Sequence, residues 1–478
     1  MSWVEGGITV TRNFLHHAIT CHLLSKDREI MSALVATPRR GLSLALSFLI
    51  IGTAVLIAAP AALAAPASLP EPVSGVTSQI STGTGAASQP SARKLTASPT
   101  PTISGVPQAG RRLTALPGTW QPAPVSLTYR WMVAGVTVFG ATASVFTPSS
   151  AHVGKRIAVA VTGTKAGYQT VLRTSVSTGL VAPATIAVGA GPRKVVVTAD
   201  GGWAYVANSQ SHTISVINTA TGKVVARVAV GRNPVGLAVS TNQKQIFVST
   251  CADEKVYAIN IKSNTIAYSF ATGTCGDLLA TPDGKSLYIG NSPTLTEITV
   301  ATIQARRLAD PIFTGTAGSQ LTLSADQTQV YVSNGDDYFI LVVDTATNRL
   351  LPKRIDTAYP PVASAPSPDG KTVYASLGRD LVTGASNVVE VIDTVTNRVR
   401  ASITINAPGD LEVSGDGSRL YVLSGDDSTI VTISTATNRI ISRIPVGHAP
   451  TSLAVMPDSS KVGITNFGDN TLSVLPIF

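Results

Sequence analysis

Few residues of this 478-residue chain have the types and spacing that chemistry requires. Past Met31 the histidines are His152, His212 and His448, and none falls in an H-E-x-x-H pattern. G-x-S-x-G and the phosphate-cradling loop are also missing, so no metalloprotease, α/β-hydrolase or P-loop signature is present. Acidic turns are the stronger signal. Gly335-Asp336-Asp337, Gly425-Asp426-Asp427 and Gly468-Asp469-Asn470 recur at equivalent places in a repeat. Paired loop carboxylates hold calcium in many proteins, which makes Asp336, Asp337, Asp426, Asp427 and Asp469 candidate ligands. The same residue types also serve turn geometry alone, and both readings stand at this stage. No cofactor other than calcium is expected.

These turns belong to a repeat that begins with Gly191–Gly231. Each unit has an apolar run, a turn, an aromatic-led strand, an alternating strand, a Thr/Asn/Gly turn and a last alternating strand. The aromatic leads are Tyr205, Phe247, Tyr288, Tyr331, Tyr374 and Tyr421, with Gly463 in the seventh slot. The intervals of 42, 41, 43, 43, 47 and 42 residues and four strand signals per unit are those of propeller blades. One unit alone leaves faces and edges bare, so units must stack. The seventh unit runs out at Phe478 before a fourth strand, and Thr185–Gly189 lies upstream with the required pattern. The expected fold is all-β: a seven-bladed propeller over residues 183–478, closed by strand 184–190, preceded by a small sandwich over 99–182.

Stacked blades put their interblade connections on one face. Cys251 ends the second strand of blade two and Cys275 precedes blade three, so the two meet on that face and a disulfide is expected. Two buried thiols or a metal pair are the alternatives. Arg193, Arg232 and His448 also sit on interblade connections, and Arg379 opens an insertion, 379–386. Loops so placed carry function more often than core strands, and these four are the candidate ligand-binding residues.

Upstream of the propeller, an apolar run from Leu42 to Ala64 follows Arg39-Arg40 and ends in Ala62-Leu63-Ala64. This reads as an export leader over 1–65, with translation starting at Met31. A retained membrane span is the alternative and would be the only expected contact with a membrane. Residues 66–98, rich in Ala, Ser, Thr and Pro, read as a linker. Of the Lys and Arg residues, 14 lie in 1–182 against 4 acids, while 183–478 holds 22 against 23. A near-neutral propeller is a poor nucleic-acid clamp.

Several motifs carry a resemblance. YVAN (205–208), YIGN (288–291), YVSN (331–334), VIDT (391–394), TATN (345–348 and 435–438), TVTN (394–397) and SPDGKTVY (367–374) resemble the YVTN β-propeller family of surface-layer and other secreted proteins. FVST (247–250), VATI (300–303) and GITN (463–466) depart from it. TPTISG (100–105), LTALPGTW (113–120), SLTYRW (126–131) and GKRIAVAVTGTKAGY (154–168) resemble the Ig-like repeat of secreted bacterial surface proteins. The expected function is that of a monomeric, non-catalytic binding protein, secreted or held at the cell envelope, that meets a protein partner or, through the basic residues of 99–182, an anionic envelope polymer. The resemblance also admits two alternatives known from propellers of this kind: a hydrolase or lyase of the lactonase or streptogramin-lyase type, and single-stranded DNA binding.

Overall fold

A computed structural model describes residues 92–290, 297–315, 318–335, 337–378 and 387–477. The expected leader, Asp336 and the insertion beginning at Arg379 lie outside the described residues. Among those described, no helix is long and apolar enough to cross a membrane.

Seven antiparallel sheets follow one another from Pro192 to Pro476. Blade one is Pro192–Val197, Trp203–Asn208, Thr213–Asn218 and Lys223–Ala229, in that order from the inside. Blade three departs, with its outer edge split into Arg307–Leu308 and Ile312–Phe313, both paired to Glu297–Thr302. In blade seven, Pro450–Val455, Lys461–Asn466 and Thr471–Pro476 are completed by Ala184–Ala187, with Thr471 opposite Ala187.

The motif residues act locally and between blades. In the Asp-Thr-Ala-Thr-Asn turn, Asp344 Oδ1 accepts from the Thr347 N–H (2.8 Å) and hydroxyl (2.7 Å). Asn348, Asn397 and Asn438 close such turns at φ of 54°, a left-handed conformation that Asn tolerates. The Tyr205 hydroxyl, meanwhile, donates to Asn264 Oδ1 of the next blade at 3.4 Å. Apolar clusters fill the spaces between successive blades.

The upstream sandwich has a sheet of Thr102–Ser104, Leu113–Leu116 and Val145–Phe146 and a second of Val136–Thr137, Ser126–Val133, Ile157–Thr164 and Val171–Thr174. Its start differs from the linker expected over 66–98, because Arg93 bridges to Tyr168 and Ala97 to Gln121. Trp131 is fully buried at its centre. The sandwich core runs on into Tyr421, Leu453, Ile464 and Leu475 of blades six and seven. Val153 and Gly154 supply the junction, with Gly154 packed on Ile444. The sandwich is therefore docked on the ring.

Candidate functional site

The first strand of each blade lines the central channel, and one slot on it sets the channel's chemistry. The slot holds Lys194, Gly236, Asp277, Gln320, Ala363, Asp410 and Ser452 in blades one to seven; it is the third residue of the first strand except in blade three, where Asp277 immediately precedes Leu278–Ala280. All but Gly236 line a mouth of about 500 Å³, together with Arg193, Cys251 and Cys275. Beyond Lys194, Gln320 and Asp410 the channel opens into a second space of about 480 Å³, bordered by Thr322, Ser364 and Glu412.

The inner edge of a first strand has no neighbouring strand to accept its N–H groups, and channel side chains take that place. Asp277 Oδ2 accepts from Leu321 N–H (3.2 Å), Gln320 Oε1 from Ser364 N–H (2.7 Å) and Asp410 Oδ2 from Leu453 N–H (3.1 Å). Glu412 Oε2 accepts from Val455 N–H (2.9 Å). In every case the acceptor belongs to one blade and the donor to the next. These side chains stitch the ring together from inside.

Lys194 is the cation among these carboxylates. It crosses from blade one to Asp277 of blade three, with Nζ 3.0 Å from Oδ1. Blade two offers no obstacle, since Gly236 has no side chain and a Cβ there would collide with the Gly276 carbonyl. Burial pulls the Lys194 pKa down, but Asp277, Asp410 and Glu412 outweigh it, and the net shift is upward. Glu412 moves upward too, to about 8, because burial and the charge of Asp410 exceed the help of Val455 N–H and Lys194.

That shift has a sign that can be measured. Between the ordinary carboxyl range and about pH 8, folded Glu412 keeps a proton that the unfolded chain releases. Stability from this group therefore falls as pH rises through that window. Glu412→Gln keeps an acceptor for Val455 N–H and cannot ionise. The variant is expected to gain on wild type progressively from pH 5 to pH 8 in thermal melts; a constant difference across that range would refute the assignment.

Cys251 and Cys275 are joined by a disulfide across a sequence separation of 24. It ties the blade-two turn to the segment carrying Asp277. Replacing both cysteines by Ser is expected to cost about 3 kcal/mol in the chain-entropy model, read as a lower denaturation midpoint matched by reduced wild type.

The other candidates of the sequence are distributed around this face. Arg193 reaches the mouth, its guanidinium 5.0 Å from the Phe467 ring centre. Arg232 and His448 do not line the mouth. Each pairs with an acid of the adjacent turn: Arg232 Nε with Asp253 Oδ1 (3.1 Å) and His448 Nδ1 with Asp469 Oδ1 (2.9 Å). That hydrogen bond and charge raise the His448 pKa. Asp427 accepts from Asn406 (3.0 Å) and from the Ser424 hydroxyl (3.1 Å), and Asp337 from Asn334 (2.9 Å). Asp426 is exposed. The turns of blades six and seven thus latch the preceding connection to its own blade, while Asp337 bonds the end of its own blade's second strand. Among the described residues no three His, Cys, Asp or Glu side chains gather as metal ligands. Sequence reasoning missed Lys194, Asp277, Gln320 and Asp410. Their signal was a polar side chain recurring at one position of the repeat.

Comparison with known proteins agrees on the fold. Residues 156–387, a little under half of the chain, match the family model described as outer membrane protein assembly factor BamB. A seven-bladed β-propeller protein of Mycobacterium tuberculosis is 28% identical over 316 residues, covering 57% of this chain and 79% of the relative. The chain is a β-propeller repeat protein. Among solved structures, a chain of Kuenenia stuttgartiensis hydrazine synthase superposes with a TM-score of 0.54 at 18% identity, over 60% of this chain and 96% of that one. At that identity the likeness concerns fold alone.

Proposed function

We propose that this chain is a non-catalytic binding protein of the cell envelope or exterior: a YVTN-type propeller whose disulfide-bearing face recognises a partner, carried with an Ig-like sandwich. The observation that carries the reading is the channel mouth, lined by residues of all seven blades, where Lys194, Asp277, Gln320, Asp410 and Ser452 supply polar groups and Arg193 lies at its edge. Its carboxylates are committed to backbone N–H groups and to Lys194, a pre-set recognition surface. Location outside the cytoplasm is supported by the disulfide and by the envelope role printed for the matching family.

The partner class follows from charge. Residues 92–182 hold nine Lys and Arg and no Asp or Glu, which favours an anionic envelope polymer. Full-length protein is expected to bind isolated anionic wall polymer, to release it as salt rises, and to lose affinity on Arg193→Glu. Failure to bind, or binding indifferent to salt and to Arg193, would sink the proposal.

A second reading rests on Glu412, whose raised pKa beside Lys194 suits a general acid. It makes the channel a hydrolase or lyase site. Lactone or cyclic-ester turnover abolished by Glu412→Gln would favour it over binding alone.

A further inference from the structure

Tyr421, Thr432 and Ser442 are direct cross-strand partners on blade six. In blades one and three the tyrosine equivalent to Tyr421 is met by the following blade: Tyr205 donates to Asn264 and Tyr288 bonds Asn348. Both asparagines lie in the turn that joins a third strand to a fourth. Blade seven has no such turn, because its fourth strand is Ala184–Ala187. The Tyr421 hydroxyl is left buried, in a residue only 2% exposed, with no hydrogen-bond partner among the described residues.

The space left by the missing turn is only partly filled by Val153 and Gly154 of the sandwich. What remains is a cavity of about 280 Å³ into which Tyr421, Thr432 and Ser442 face. Ile444, Leu475 and Ile477 give it an apolar wall. Arg419, Arg443 and Lys155 border it, and no carboxylate does among the described residues. None of these cations forms an ion pair with a described residue; Lys155 Nζ donates to the Ala151 carbonyl (3.0 Å).

We propose that this cavity between sandwich and ring is a binding site for a small organic anion: a carboxylate on an apolar body of about benzoate's size. The carboxylate accepts from the Tyr421 hydroxyl and faces Arg419. The apolar body lies against Ile444 and Ile477. A buried donor without an acceptor is costly, and a carboxylate supplies one with charge assistance. The site is independent of the channel and of the function proposed above.

Thermal melts and calorimetric titration of the full chain test it, with benzoate as probe, phosphate as the anion without a body and benzyl alcohol as the body without a charge. Benzoate is expected to raise the melting temperature saturably, and the two controls to leave it unchanged. Tyr421→Phe is expected to fold with unchanged or greater stability and to bind benzoate at least about tenfold more weakly. Arg419→Gln should weaken it similarly. Absence of a benzoate shift, equal binding by Tyr421→Phe, or an equal response to phosphate or benzyl alcohol would overturn the proposal. So would a loss of unliganded stability in Tyr421→Phe, because the hydroxyl would then already have a partner.

Discussion

Lys194→Met is expected to destabilise the propeller by about 3–5 kcal/mol, the range for removing one partner of a buried ion pair. The side chains of Lys194 and Asp277 are only 23% and 10% exposed. Without the ammonium, Asp277 and Asp410 both lose the positive charge that offsets theirs. Adding Asp277→Asn removes one charge and keeps an acceptor for Leu321 N–H. The double variant is expected to recover much of the loss, giving a coupling energy well above zero in a double-mutant cycle. Urea denaturation reads the result. Additive single effects would show that Lys194 and Asp277 do not stabilise each other.

Trp131→Ala is expected to cost about 3–5 kcal/mol. The ring is fully buried, stacks on Phe146 at 5.4 Å between centroids, and donates from Nε1 to the Ala143 carbonyl (2.9 Å). The cavity left behind would open inside a cluster that continues into blades six and seven. Calorimetry should therefore show the main unfolding transition of the ring moving down with the sandwich. A separate early transition, with the ring unmoved, would mean that the shared core carries no coupling.

The fold was legible because its signals repeat. Tyr205, Tyr288 and the turn asparagines recur at one period, and turn and latch chemistry fix both identity and spacing. The channel was not legible by the same means. Asp277 immediately precedes a short strand, Leu278–Ala280, in the most degenerate blade. Its partner Lys194 is two blades away, and only closure of the ring brings them together. The acidic turns were visible as carboxylates, but what they bond depends on the neighbouring connection: Asn406 and the Ser424 hydroxyl for Asp427, His448 for Asp469. Docking of the sandwich was hidden because Ile444 looks in sequence like an ordinary blade residue, while its contact, Gly154, looks like a turn.

The strand Ala184–Ala187 has a consequence in time. A ribosome makes it before any blade, yet its partner, Thr471–Pro476, is the last of the ring's described strands. Six blades can assemble as they emerge, while this first strand waits with its edge bare. The ring then locks in a single late event that needs Thr471–Pro476, and loop closure across the whole propeller makes that event slow. A nascent chain stopped before Thr471 would hold every blade core but the last and remain an open arc, exposed to edge pairing until that strand arrives.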